Sequence, residues 1–242
     1  MGTVVSLDVR GASDADAQAA FAGVMAWLRD VDGRFSTYRE DSEISRIDRG
    51  ALPVEAASED VRWVLERCGE LREETGGAFD ARAGGRLDPS ALVKGWAAQR
   101  GAEILWSEGL RDFSLNAGGD LVVRGGALPG SVWRVGIQHP LDRGSIAAAI
   151  AVTDMAIATS GAYERGAHLL DPRAGRAPSD VLSVTVVGPD LALADAYSTA
   201  AFALGAHGPQ WTLGLDAYES MTIRADGVVL CTPGFPAEDD GA

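Results

Sequence analysis

The sequence predicts an α+β fold: antiparallel sheets packed with helices in a single domain. Three observations carry this. Helical periodicity dominates the first half and two-residue alternation the second, with no regular βα succession. No Pro/Ser-rich linker divides the 242 residues, a length that buries one sizeable core. No repeat at solenoid periods is present. The domain is placed at residues 1–235, with 236–242 (PAEDDGA) as a terminal, frayed tail.

Residues 3–10 alternate weakly and predict a strand. Ser13 then caps a helix with Asp14 and Asp16 in its first turn, and Phe21, Val24, Met25, Leu28 and Val31 form its apolar face. The segment 32–47 (DGRFSTYREDSEISRI) reads as polar loop. Ser58 opens a second helix on Val61, Val64, Leu65, Cys68 and Leu71, stopped by Gly76-Gly77. A third runs from about Ala91 to Glu108, with Gly109 as its stop. Between 111 and 152, four alternating runs separated by glycine-rich turns predict antiparallel strands. A glycine-bearing loop leads to a buried strand at 183–188. A helix over 191–204, a short helix near 207–215 and strands near 217–224 and 227–232 follow.

Charge excludes several functions. The chain has 35 acidic and 21 basic residues, a net of −14, which opposes nucleic acid and anionic membrane surfaces. The longest near-apolar stretch, Ser145 to Ala158, is broken by Thr153 and Asp154, so no membrane span is expected. The first residues lack a charged n-region, an apolar h-region and a cleavage site. The chain as it stands therefore reads as cytoplasmic, and an export signal upstream of residue 1 would change that reading. Cys68 and Cys231 form no CxxC pair and read as plain buried thiols. An anionic ligand would need a local device: a metal, helix N-termini or glycine-rich backbone.

Four segments carry candidate chemistry. Small residues at 158–163 (ATSGAY) precede HLLDPRAG at 168–175. His168 there is either a general base near neutral pH or a structural histidine bonded to its own turn. Asp195 and Thr199 lie four apart on one helix face, where they can hold Mg²⁺ and phosphates, or merely favour the helix dipole. In Asn116-Ala117-Gly118-Gly119-Asp120, two glycines let backbone approach a ligand, or make a hairpin turn. Lys94 stands near a helix start, where a cation is mildly unfavourable, which hints at an anionic neighbour. Walker A, GxGxxG, GxSxG and HExxH patterns are absent.

In order along the chain, nine stretches resemble the FAD:protein FMN transferase family, the ApbE-like flavin transferases. They are MGT (1–3), FSTYREDSEISRID (35–48), GGAFD (76–80), DPSALVKGWA (88–97), NAGGD (116–120), WRVGIQHP (133–140), AIATSGAY (156–163), HLLDPRAG (168–175) and SVTVVGPDLALADAYSTAAFALG (183–205). The resemblance implies a single α+β domain, Mg²⁺ as cofactor and FAD as substrate. FAD would be cleaved, FMN attached by a phosphoester to a threonine of an acceptor flavoprotein carrying a Ser/Thr-Gly-Ala-Ser/Thr motif, and AMP released. It implies Asp195, Thr199 and the Val93 backbone carbonyl as metal ligands and His168 as catalytic base. Tyr38 would pack on the flavin nucleotide, with Lys94, Gly118, Gly119, Asp120, Ser160 and Gly161 in the nucleotide pocket. The chain departs from the family at Trp96, where Tyr is usual, and at Gln99, where Asp is common. Two alternatives share these residues: a Mg²⁺-dependent FAD pyrophosphatase yielding FMN and AMP, and a non-catalytic FAD-binding protein. The chain's own runs Thr75-Gly76-Gly77-Ala78 and Ser160-Gly161-Ala162-Tyr163 fail at the acceptor position, so it reads as the enzyme rather than its target.

Overall fold

The computed structural model describes residues 3–161 and 171–238. Strand β1 (Val5–Arg10) is followed by helices α1 (Asp14–Phe35), α2 (Glu43–Asp48), α3 (Glu59–Glu74) and α4 (Ser90–Ser107). Six strands come next: β2 (Asp112–Ala117), β3 (Asp120–Arg124), β4 (Trp133–His139), β5 (Asp142–Val152), β6 (Ala156–Gly161) and β7 (Val181–Gly188). Helices α5 (Leu191–Ala203) and α6 (Gly208–Thr212) and strands β8 (Glu219–Arg224) and β9 (Val229–Cys231) close the chain. The α+β reading holds. No helix among the described residues is long and apolar enough to cross a membrane.

Seven strands form one antiparallel sheet in the order β1-β2-β3-β6-β7-β8-β9, while β4 and β5 pair as a separate ribbon. Neighbouring residues on the central strands feed opposite faces, as the two-residue period requires. Val122, Ala158, Val184 and Val186 pack with the helices. Val123, Ile157 and Val187 pack with Trp133, Ile137, Ile150 and Val152 of the ribbon. Covering both faces explains why residues 183–188 (SVTVVG) are buried without a break.

Helix α5 lies against the sheet and α4. Ten of its residues are buried, all but Asp195 and Ser198 apolar, as expected of a helix surrounded by protein. Gly95 permits the close crossing: a Cβ there would stand 2.4 Å from the Leu191 carbonyl oxygen and 2.9 Å from Asp195 Cβ.

The structure corrects the reading of 32–47 as loop. Helix α1 continues to Phe35, which is buried against Trp96 with ring centroids 5.4 Å apart. Ser42 then caps α2 by accepting the Ser45 N–H, and Ile44 and Ile47 are buried. A polar composition masked a short capped helix with two core anchors. Residues 156–161, read as part of a loop, form the central strand β6, and pairing with β7 uses their backbone. Residues 162–163 of the ATSGAY segment lie outside the described residues. The final segment is not frayed throughout. Ala237 bridges to Ile150, and Arg134 clasps Glu238 at 2.5 Å.

Candidate functional site

The site forms where the N-terminal half of α4, the turn between β2 and β3, the end of β6 and α5 meet. Gly118 and Gly119 make the β2–β3 turn at φ +66° and +101°, and Gly119 N–H is accepted by Asn116 Oδ1. Two successive positive φ angles are what a tight hairpin of this kind demands. A Cβ on Gly118 would collide with Thr3 Oγ1 at 2.0 Å. The hairpin reading is therefore right for these glycines, and the turn delivers Asp120 at the start of β3.

Asp120 is buried on the helix side, 1% exposed. Its Oδ1 accepts the Thr159 N–H at 3.2 Å, and its Oδ2 pairs with Lys94 Nζ at 2.7 Å. The β3–β6 ladder itself spans only Leu121–Val122 against Ala156–Ile157. Beyond it the carboxylate takes an N–H, which joins the site to the sheet. Burial pushes the Asp120 carboxyl upward, and the Lys94 charge pulls it back. Lys94, the chain's sole lysine, also lies 3.7 Å from Asp195 Oδ1. The anionic neighbour expected beside it is thus a pair of protein carboxylates.

Asp195 is 3% exposed, and its Oδ2 accepts the Gly95 N–H at 3.1 Å. One turn on, Thr199 Oγ1 is 3.3 Å from Ser160 Oγ, which is 2.9 Å from Ser198 Oγ. The structure therefore brings together Lys94, Asp120, Asp195, Thr199 and Ser160. Gly118, Gly119 and Gly161 adjoin them along the chain, and Val93, buried, precedes Lys94 on α4. Tyr38 stands apart on the α1–α2 connection with its side chain 94% exposed. His168 lies outside the described residues. The turn just after it is locked by Asp171, which accepts the Arg173 N–H and pairs with its guanidinium at 2.8 Å.

The donor set around Asp195 is all oxygen and suits a hard cation. Among the described residues no three His, Cys, Asp or Glu side chains gather into a metal cage. That sparse set fits Mg²⁺, which keeps several waters and takes one or two carboxylates plus substrate phosphates.

The roles of several supporting residues escaped the sequence reading. Gln99, buried on α4, accepts the N–H of Leu191 through Oε1 and so fastens the first residue of α5. Trp96 sits among Trp27, Phe35 and Trp63 at centroid distances of 5.3, 5.4 and 6.2 Å. Ser198 is fully buried, and only its spacing from Asp195 signalled a back-bond. Two cavities, of about 510 and 570 Å³, run along the α4 flank past Gln99 and Glu103, and neither is lined by Lys94, Asp120 or Asp195. The chemistry of the buried carboxylates, rather than cavity size, marks the site.

Known proteins share this chain's sequence pattern and fold. The sequence matches the ApbE family over residues 1–86 and 81–219. It is 29% identical to a FAD:protein FMN transferase of Klebsiella pneumoniae, over 85% of this chain and 77% of that one. It is 26% identical to the FAD:protein FMN transferase of Vibrio cholerae, over 97% and 87%. The fold superposes on the ApbE protein of Thermotoga maritima with a TM-score of 0.86 at 21% identity, covering 98% of this chain and 97% of the other.

Proposed function

This chain belongs to the ApbE family, and from that premise we propose that it cleaves FAD with the help of Mg²⁺, joins FMN to a threonine of an acceptor flavoprotein and releases AMP. It is a flavin transferase, as its FAD:protein FMN transferase relatives are. The observation that carries the finer reading is the buried cluster in which Lys94 lies 2.7 Å from Asp120 and 3.7 Å from Asp195, with Thr199 a turn away.

A chain of net charge −14 repels a pyrophosphate unless local cations offset it. Asp195, Thr199 and the Val93 carbonyl would hold Mg²⁺, which supplies charge neutralisation to the phosphates. Lys94 adds the one side-chain ammonium, held by Asp120. Gly118, Gly119, Ser160 and Gly161 border the nucleotide, and the exposed ring of Tyr38 offers a face for the flavin nucleotide. The acceptor threonine oxygen attacks the FMN phosphorus, its proton passes to His168, and the bond to the AMP phosphate breaks. Positioning and charge stabilisation account for most of the rate.

The test combines purified protein, FAD, Mg²⁺ and an acceptor domain carrying a Ser/Thr-Gly-Ala-Thr motif. An FMN-sized mass increase on the acceptor with stoichiometric AMP is expected. AMP and free FMN without an adduct would make the protein a pyrophosphatase. FAD binding without AMP would make it a passive binder.

A further inference from the structure

The hydroxyl cluster beneath Thr199 has a direction. Ser198 Oγ lies 2.9 Å from the backbone carbonyl of Asp195, and a carbonyl only accepts. The single Ser198 proton is therefore spent on it. In the 2.9 Å contact between Ser198 and Ser160, Ser198 must then accept, so Ser160 donates. In the 3.3 Å contact between Ser160 and Thr199, Ser160 has no proton left, so Thr199 donates. Each hydroxyl carries one proton and two lone pairs, so the assignment runs in one sense only.

We infer that Ser198 and Ser160 are positioning residues that turn the Thr199 proton inward and leave its oxygen lone pairs facing the cation. This rests on the reading that Asp195 and Thr199 hold Mg²⁺. A hydroxyl bound to a cation keeps its proton and needs an acceptor for it, and Ser160 is that acceptor. The chain ends on the backbone of Asp195, the residue whose carboxylate supplies the second ligand. Both ligands are thereby tied to one hydrogen-bonded loop that also spans β6 and α5. Burial strengthens such a chain, since Ser198 is fully buried and Ser160 is 5% exposed.

A double-mutant cycle in Mg²⁺ affinity tests this, read by calorimetric titration of MgCl₂ into the full chain saturated with FAD. Asp195→Asn and Thr199→Val first establish the underlying reading. If neither weakens Mg²⁺ binding, that reading fails and the inference with it. If they do, Ser198→Ala and Ser160→Ala should each weaken binding about 5- to 10-fold. In the Thr199→Val background, the same two changes should have no further effect. Thr199→Ser keeps the hydroxyl and should stay within about 2-fold of the parent in both metal affinity and its sensitivity to Ser198→Ala. Melting curves recorded without metal confirm folding of each variant, and Ser160→Ala carries the cycle if Ser198→Ala does not fold. Unchanged Mg²⁺ affinity in the serine variants, or equal losses with and without the Thr199 hydroxyl, would overturn the inference and reduce both serines to packing.

Discussion

Lys94 is the single lysine of a chain whose other twenty basic residues are arginines. A compact ammonium sits 2.7 and 3.7 Å from two buried carboxylates, where the planar fork of a guanidinium has a different reach and shape. Lys94→Met should therefore cost about 3–5 kcal/mol of stability, because Asp120 is left buried without its cation. Lys94→Met with Asp120→Asn should regain part of that loss in thermal denaturation, and no recovery would separate the two residues energetically. Asp195→Asn should reduce flavin transfer by at least about 100-fold and weaken Mg²⁺ binding, since it removes the full charge a hard cation requires. A variant with wild-type turnover would move the metal elsewhere. Cys68 offers a pH probe. Burial pushes its thiol up to about 12, against about 8.5 in an unfolded chain. The folded state holds its proton longer, so stability is complete below about pH 8.5 and falls above it, by up to about 1.4 kcal/mol per pH unit. The reading of both thiols as buried fails at Cys231, which is exposed, so native protein should offer only Cys231 to a thiol reagent at neutral pH, and both cysteines after denaturation. Equilibrium unfolding at pH 8 and 10 checks the slope.

At the scale of elements, the α4–α5 crossing decides the site. Gly95 lets the two helices approach until its N–H reaches Asp195, and Gln99 fastens the first turn of α5 one helical turn further along. Trp27 adds a bond from its indole N–H to the Ala97 carbonyl, which holds α1 to the same helix. Gly95→Ala places a methyl 2.4 Å from the Leu191 carbonyl oxygen. The helices must separate, at a cost of about 1–3 kcal/mol in stability. The Lys94–Asp195 spacing should widen with them, so Mg²⁺ affinity should fall together with the melting temperature. Loss of stability with intact Mg²⁺ binding would show that the crossing and the site are independent.

For the whole molecule, acidity governs both solubility and pH response. Asp48 is held below the usual carboxylate range chiefly by the Leu87 N–H at 2.8 Å, with Arg86 and Arg82 beside it. Asp171 is held down in the same way, first by Arg173. These carboxylates tie the 36–48 connection to the chain before α4 and close the 171–176 turn. Their folded pKa values lie below the unfolded ones, so the stability they add is present above about pH 4 and is lost as pH falls through the folded values. Asp48→Asn should flatten the acid limb of a stability profile between about pH 5 and 2. An unchanged limb would show that the clip carries no linkage.

Periodic segments were legible because helix and strand repeats are local: Val61, Val64, Cys68 and Leu71 declare α3 whatever they pack against. Caps were legible for the same reason, as at Ser13, which accepts the Asp16 N–H. The site's candidate residues also stood out locally, in NAGGD, in the lone lysine and in the Asp195–Thr199 pair. Two short stretches were illegible. The 36–48 connection hides its two core isoleucines among polar residues, and AIATSG is too small in its side chains to look like a central strand until β3 and β7 flank it. The class of the fold, the order of most elements and the family could be read from the chain alone. It took the packed fold to show that Lys94 joins Asp120 to Asp195, 26 and 101 residues away along the chain, and that the hydroxyls of Ser160, Ser198 and Thr199 share one directed chain. The physical reason is that ion pairs and hydrogen bonds depend on distances of a few ångströms, which chain spacing does not encode until helices and sheet pack.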